Sequence, residues 1–480
     1  MAETVAVTED VAPQVRPLTA KNYLAYAAGD AAGNVCFTMA GMFLILYYTN
    51  VIGIAGGVIG TMFLALRFID SVSDLVMGRI IDMKKPGKLG KFRPIILWFF
   101  GPLLIMNWLM YAAALIFPNQ STAFHTVYMY VTYFLMGSVF YTIVNIAYGA
   151  MAPSLTQVPT ERGKLASFRM YGAAAMILAL SWLIAPQIDR FEGDAQGLQN
   201  ALALTVGLIS VVAALLYLFM VWGTREQVYR DPEPVSVKES FGALLLNRPL
   251  QILSLGSVGF LTGMTVLSTL GSYVALYGQR SGTYIAVNAT AQTAALFVVA
   301  PLVPVMVRTI GKKMGFILVG FAMYVGAAIL IFSPLETLPW LGSVAFFVMG
   351  IGVYGTNTLM WALEADCVEY GEWKIGKRTE GTTYAVFSFM RKMGQALGGF
   401  IGGWALVWAG FVAEDVAAGA PVSAEVAGNI VLWAVVFVAG ATLFGQIVMW
   451  FYPLTEARFQ EIVAEIQTRR TERLQRQTDR

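Results

Sequence analysis

Between Gly60 and Gly78 an apolar run places Arg67, Asp70 and Asp74 at i, i+3 and i+7. That spacing puts all three on one face of a helix. A carboxylate near the middle of a membrane helix costs roughly 2.5–3.5 kcal/mol on insertion scales. Two of them so close together need partners or water, and the chemistry such groups do at bilayer depth is to pass or couple ions and substrates. The plainer reading is an ion pair that ties helices together through Arg67. One arginine against two acids leaves a negative charge over for a cation, which favours the functional reading.

Further polar groups sit in other apolar stretches. Asp30 stands one turn before Asn34, Thr142 and Asn145 are at i, i+3, and Arg169 lies about two turns inside its segment. Tyr384, Ser388, Arg391, Lys392 and Gln395 form nearly one stripe at helical spacing. Such groups are tolerated if they share a water-accessible cavity. For Thr142 and Asn145, small polar residues that also bond across membrane helices, the structural reading weighs equally. Asp30 and Lys392 are costlier to bury and are expected to be functional.

The elements that must hold these residues are membrane helices. The chain has 480 residues, 57% hydrophobic and 13% charged, with a net charge of +3; a soluble protein is nearer 25% charged. Taking about 20 apolar residues per crossing, the chain divides into twelve spans near 22–48, 57–81, 94–117, 124–152, 165–186, 200–222, 249–277, 283–307, 315–333, 339–363, 380–411 and 425–452. The expected fold is an all-α membrane protein with twelve transmembrane helices in two six-helix lobes. Residues 1–21 read as a disordered cytoplasmic N-tail, 22–222 as the N-terminal lobe and 223–248 as a cytoplasmic linker. Residues 249–452 read as the C-terminal lobe and 453–480 as a cytoplasmic C-tail. Phe459, Ile462, Val463 and Ile466 give that tail one apolar helical face, followed by a basic disordered end.

Of the 32 Lys and Arg, 25 fall in the tails and loops assigned to the cytoplasm and 2, Arg190 and Arg280, in those outside. This asymmetry obeys the positive-inside rule and puts both termini in the cytoplasm of a cell-membrane (inner-membrane) protein. The basic turns 82–93 and 308–313 follow spans two and eight, as expected of parallel repeats in a two-lobed transporter. Cys36 and Cys367 indicate no disulfide framework, His125 cannot make a metal site alone, and no phosphate-binding loop is present. Nucleic acid is not an expected partner, because the basic residues are scattered between spans. The run from Trp361 to Glu380 carries Glu364, Asp366, Glu369, Glu372 and Arg378 on the side of the basic turn 84–93, which suggests a charge-paired inner gate.

Taken in order, these segments resemble the glycoside–pentoside–hexuronide:cation symporters of the major facilitator fold. The resemblance runs from about residue 20 to 468. It rests on Gly29-Asp30, Tyr47-Tyr48-Thr49, Arg67-x-x-Asp70-x-x-Ser73-Asp74, Gly78-x-x-x-Asp82 and Gly90-Lys-Phe-Arg-Pro94. Later come the run Trp361 to Glu372 and Phe387-Ser-Phe-Met-Arg-Lys392-x-Gly-Gln-Ala. Val144-Asn145-Ile-Ala-Tyr148-Gly149, Pro301-Leu-Val-Pro304, Arg391-Lys392 and Trp450 to Thr455 bring the chain nearest the glucuronide carrier branch.

In the melibiose branch, the resemblance implies, the acids matching Asp70 and Asp74 and the hydroxyl matching Thr142 form the coupling-cation site, to which Ser73 is added. Asp30 and Arg169 would bind the sugar with Lys392 beside them; Asn145, Asn357, Ser388 and Arg391 complete the candidate set. That branch has an acid where this chain has Asn145 and a stacking tryptophan where it has Gly149, which weighs against galactoside recognition of the melibiose type. Losing an acid and gaining Arg391 suits a sugar acid. The expected function is symport of a glycoside, foremost a glucuronide or other hexuronide, with H⁺ or Na⁺ by alternating access. Asp70 and Asp74 are the one place for a Na⁺, proton coupling is preferred, and no cofactor is expected. The partners are the sugar, the cation and the bilayer, with the chain acting as a monomer. A neutral glycoside or pentoside, an exporter or lipid carrier of the same fold, and a non-transporting sensor are the alternatives; no nucleophile–base pair supports an enzyme.

Overall fold

The computed structural model describes residues 17–156, 158–227, 246–375 and 380–478. Most of the expected N-tail, the centre of the linker, Arg378 of the expected gate and the last two residues lie outside them. Among the described residues every regular element is a helix. They are α1 (Ala20–Asn50), α2 (Gly56–Met83), α3 (Arg93–Tyr111, extended by the short helix Ala113–Ile116), α4 (Thr122–Leu155), α5 (Pro159–Arg190), α6 (Ala195–Gly223) and α7 (Arg248–Gly278). Thr283–Phe332 is continuous except at Gly311 and supplies α8 (283–310) and α9 (312–332). Then come α10 (Trp340–Ile375), α11 (Glu380–Trp408), α12 (Ala424–Trp450) and α13 (Glu456–Thr478).

The starts follow from local chemistry. Ser121, Asp194, Asn247 and Ser423 cap α4, α6, α7 and α12 by accepting from the backbone N–H three residues on, and Pro94 and Pro249 open α3 and α7. The expected basic turn at 308–313 is not a loop. The chain breaks its helix at one residue, Gly311, whose φ of 78° lies in the left-handed region that glycine enters without a Cβ penalty. Among the described residues, nine helices are long and apolar enough to cross a membrane on those grounds alone. That count takes α8 and α9 as one and omits α2 and α11, the spans of Arg67, Asp70 and Asp74 and of Arg391 and Lys392. With these restored the bundle has twelve crossings, and the chain is a multi-pass membrane protein.

In the first half α1 packs on α5 and α6, and α3 on α4 and α6; in the second α7 packs on α11 and α12, and α9 with α8 on α10. The lobes meet where α2 crosses α11 and α5 crosses α8. Twelve crossings bring both termini to one face, here the terminal face. On the opposite, far face the lobes are in close contact. A Cβ at Gly60 would lie 2.7 Å from the Phe400 carbonyl oxygen and one at Gly403 would lie 2.7 Å from Gly60 Cα, so bare backbones touch. Gly78 is five full turns along α2 from Gly60, on the same side of the helix, yet a Cβ there would meet nothing within 4 Å. The two spans therefore diverge toward the terminal face, and the bundle is shut at one end and splayed at the other.

Two anchors steady the terminal face. Glu226, just past α6, accepts from the backbone N–H groups of Lys91, Phe92 and Arg93 at 2.7, 2.9 and 3.0 Å. This ties the start of the linker to the start of α3. The tail helix α13 buries Ile462 and Ile466 against the second lobe, and Trp373 Nε1 donates to Glu465 at 2.7 Å. It continues as helix to Thr478 rather than ending in a disordered basic stretch.

Candidate functional site

The charged residues of the spans converge where α2 and α11 part. On α2, Asp70 is held inside the first lobe: Ser138 of α4 donates to it and Arg67 lies 3.8 Å away. Its side chain is 6% exposed. One turn further on, Asp74 accepts from Thr142 of α4 at 3.1 Å and from the Lys392 ammonium of α11. The Asp74 and Lys392 side chains are 29% and 24% exposed. Asp74 is thus the acid that water or an ion can reach, and Lys392 joins it from the other lobe.

The surplus negative charge expected on α2 is therefore balanced: Asp70 and Asp74 face Arg67 and Lys392. Sequence spacing within one helix could not reveal the fourth member, which arrives from 318 residues away. Ser73 makes no hydrogen bond among the described residues. Ser138 was missed, although it sits one turn before Thr142 and so shares its stripe. It falls in a wide turn, Phe134–Tyr141, with the π hydrogen-bonding pattern; such turns occur mostly as single insertions at functional positions. Similar turns interrupt α1 at Met39–Phe43 and end α7 at Val274–Gly278.

A second ion pair joins α1 and α5. Arg169 of α5 donates through Nε to Asp30 of α1 at 2.7 Å, and Asn34 donates to the same carboxylate at 3.1 Å. The guanidinium lies over the Tyr148 ring at 5.3 Å from its centre. That ring is fixed by stacking on Tyr26 at 4.6 Å and by donating to the Tyr26 carbonyl at 2.8 Å. Asn145 and Gly149, on the same stretch of α4, are exposed, and a Cβ at Gly149 would meet nothing within 4 Å. The position without an acid and the position without a tryptophan both border open space.

Arg391 and Lys392 do not act as a pair. Adjacent helical residues point about 100° apart, as 3.6 residues per turn requires. Lys392 crosses to the first lobe, whereas Arg391 turns to α10, donating to Asn357 at 3.2 Å and lying over Trp361 at 4.7 Å. Among the described residues no carboxylate pairs with it. Ser388 is half-buried one turn away and makes no hydrogen bond among the described residues. Between the lobes, Phe37, Arg67, Thr265, Ser268 and Gln395 line a common cavity.

Of the expected gate residues, Asp366 takes Lys312 through both carboxylate oxygens at 2.8 Å, inside its own lobe. Glu364, Glu369 and Glu372 follow on α10 toward the terminal face. Among the described residues no group of three or more His, Cys, Asp or Glu is placed to hold a metal.

The site predicts one binding result directly. Arg169→Ala removes the partner of Asp30 and a planar donor that borders the opening. Substrate affinity should fall about 10-fold or more, on the scale of a lost charged hydrogen bond, while the protein still inserts and folds. Ligand titration of the purified variant checks it; affinity within twofold of the parent would show Arg169 to be structural only.

The chain is similar to known proteins along most of its length. The profile of a family described as MFS/sugar transport protein matches residues 25–456. A glucuronide carrier protein homolog of Escherichia coli (strain K12) is 34% identical over 94% of this chain and 96% of its own length. The inner membrane symporter YicJ of the same organism is 28% identical over 94% and 95%. Among solved structures, the nucleoside transporter NupG aligns with a TM-score of 0.62 at 12% identity, covering 91% of this chain and all of NupG. A likeness that distant speaks for the fold alone. The chain is a transporter of the major facilitator class rather than an enzyme, and it belongs to the glycoside–pentoside–hexuronide:cation symporter family of that fold.

Proposed function

We propose that the protein imports an anionic glycoside, foremost a glucuronide or other hexuronide, together with a cation by alternating access. The observation that carries this reading is Arg391: a half-buried guanidinium beside Asn357 and an indole face, with no carboxylate against it. A buried cation without a counter-ion is costly, and a sugar carboxylate supplies the missing charge in bidentate form. Asn145, exposed where the melibiose branch would carry an acid, adds no repulsion. The name of the glucuronide carrier relative points the same way.

In this reading Asp30, Asn145, Arg169, Asn357, Ser388 and Arg391 hold the sugar, with Lys392 nearby. Asp70, Ser73, Asp74 and Thr142 serve the coupling ion. Since Lys392 occupies Asp74, an arriving H⁺ or Na⁺ competes with an ammonium already in place. Sugar that engages Lys392 would free the carboxylate, so sugar and cation each raise the other's affinity. The charge asymmetry of the loops supports a cytoplasmic terminal face, and in this reading the described state is inward-open. Glu364, Asp366, Glu369, Glu372 and Arg378 then border the inner entrance as its gate.

The test is uptake of a labelled phenyl glucuronide into vesicles under a pH step, a Na⁺ step, or neither. Accumulation is expected under one ion gradient and its collapse when an uncoupler or ionophore dissipates that gradient. Tight binding of a neutral galactoside with indifference to glucuronides would defeat the proposal. A second reading, a small organic sulfonate in place of the sugar acid, rests on a relative provisionally named a 2,3-dihydroxypropane-1-sulfonate exporter in Escherichia coli (strain K12), 30% identical over 96% of this chain. Arg391 suits either anion, and competition in the same assay separates them.

A further inference from the structure

The far face is closed by more than touching backbones. Asp189, in the last turn of α5, reaches across to the start of α8 in the other lobe. Its carboxylate accepts from Ser281 Oγ at 2.9 Å, from the Gly282 N–H, from the Thr283 N–H at 2.8 Å and from Thr283 Oγ1 at 2.5 Å. A Cβ at Gly282 would stand 3.0 Å from Asp189 Oδ1 and 3.2 Å from the Ala185 carbonyl oxygen, so the residue there is the one that permits the approach.

The electrostatics of this contact depend on the state of the lobes. At the C-terminal end of its own helix a carboxylate faces the negative end of the dipole and is disfavoured. At the N-terminal end of α8 it meets the positive end and free N–H groups. Asp189 is therefore poorly placed within its own lobe and well placed only when the second lobe is docked. Other polar contacts across this seam are between neutral groups, among them Thr49 with Tyr273 at 2.6 Å, Asn50 with Tyr277 at 2.5 Å, Trp182 with Thr290 at 2.9 Å and Ser272 with the Met42 carbonyl at 3.0 Å. Among these, Asp189 alone contributes a full charge.

We infer that Asp189 is the latch of the far face, and that its capture of the start of α8 sets the balance between the closed and open states of that face. The inference concerns the opening equilibrium and does not depend on which substrate is carried. Its test is the separation of spin labels at Gln196→Cys and Thr337→Cys, exposed positions on the two lobes at the far face; the native Cys36 and Cys367 are buried. In the full-length protein in lipid, Asp189→Asn keeps the shape and removes the charge, and Asp189→Ala removes the acceptor. Loss of charged hydrogen bonds should raise the open-to-closed ratio on the order of tenfold in the first variant, and more in the second. Substrate added on the far side should bind correspondingly tighter. Should Asp189→Ala fail to fold, the Asn variant decides alone. Unchanged label distances in a folded variant would overturn the latch, whether or not glucuronide is transported.

Discussion

Asp74→Asn should abolish uphill accumulation, bringing the ratio of internal to external substrate from well above one to about one, while counterflow of preloaded substrate continues. Asp74 is the acid both lobes share: Thr142 supports it from the first and Lys392 from the second. An amide keeps the shape and one of the two acceptor oxygens, so the lobes can still meet and the residues proposed to hold the sugar keep their places. It can neither take a proton at neutral pH nor hold a Na⁺ by charge, so under the proposed coupling the free energy of the ion gradient no longer reaches the substrate. Steady-state accumulation and counterflow, measured on the same vesicles, separate coupling from binding. Accumulation equal to the parent's would remove Asp74 from the coupling role. Asp70, more deeply buried and held by Ser138 and Arg67, should cost folding as well as transport when it is changed, so it is the poorer probe.

Gly403→Val should reduce transport at least tenfold with no change in any charged group. The backbone of α11 meets that of α2 here: a Cβ on residue 403 would lie 2.7 Å from Gly60 Cα and Gly60 N. Inserting carbon into a packed seam typically costs 1–3 kcal/mol, and the strain exists only while the far face is shut. Either the lobes cannot close or the bundle is destabilised. Uptake together with the yield of folded protein in the membrane distinguishes the two, and Gly403→Ala should give a smaller loss. Transport near the parent's level in the Val variant would show that the seam opens too little for this contact to matter.

The helices were legible because each crossing must bury about 20 apolar residues, and Asp30, Asp70, Asp74 and Arg169 stood out because lipid rejects them. What the residue order concealed was their pairing. Nothing in the spacing on α2 announces Lys392, and the adjacency of Arg391 and Lys392 suggested joint action that the helical turn of 100° prevents. The glycines at 56, 57 and 60 and at 399, 402 and 403 did carry the signal of close helix contact, since small residues recurring one turn apart let backbones approach. Nothing in the residue order marks Asp189, because the group that gives it meaning is the start of a helix in the other half. The single-residue break at Gly311 was hidden for a different reason: a basic run between two apolar stretches reads as a turn, although one left-handed glycine suffices.

A tethered counter-ion has an electrical consequence. In the described state the Lys392 ammonium pairs with Asp74 and Arg67 lies beside Asp70, so these four residues together carry no excess charge. A membrane potential exerts about 2.3 kcal/mol per elementary charge per 100 mV, and it finds nothing among them to push on during the unladen return. On the proposed coupling, voltage acts through this cluster only on the stroke that carries the cation.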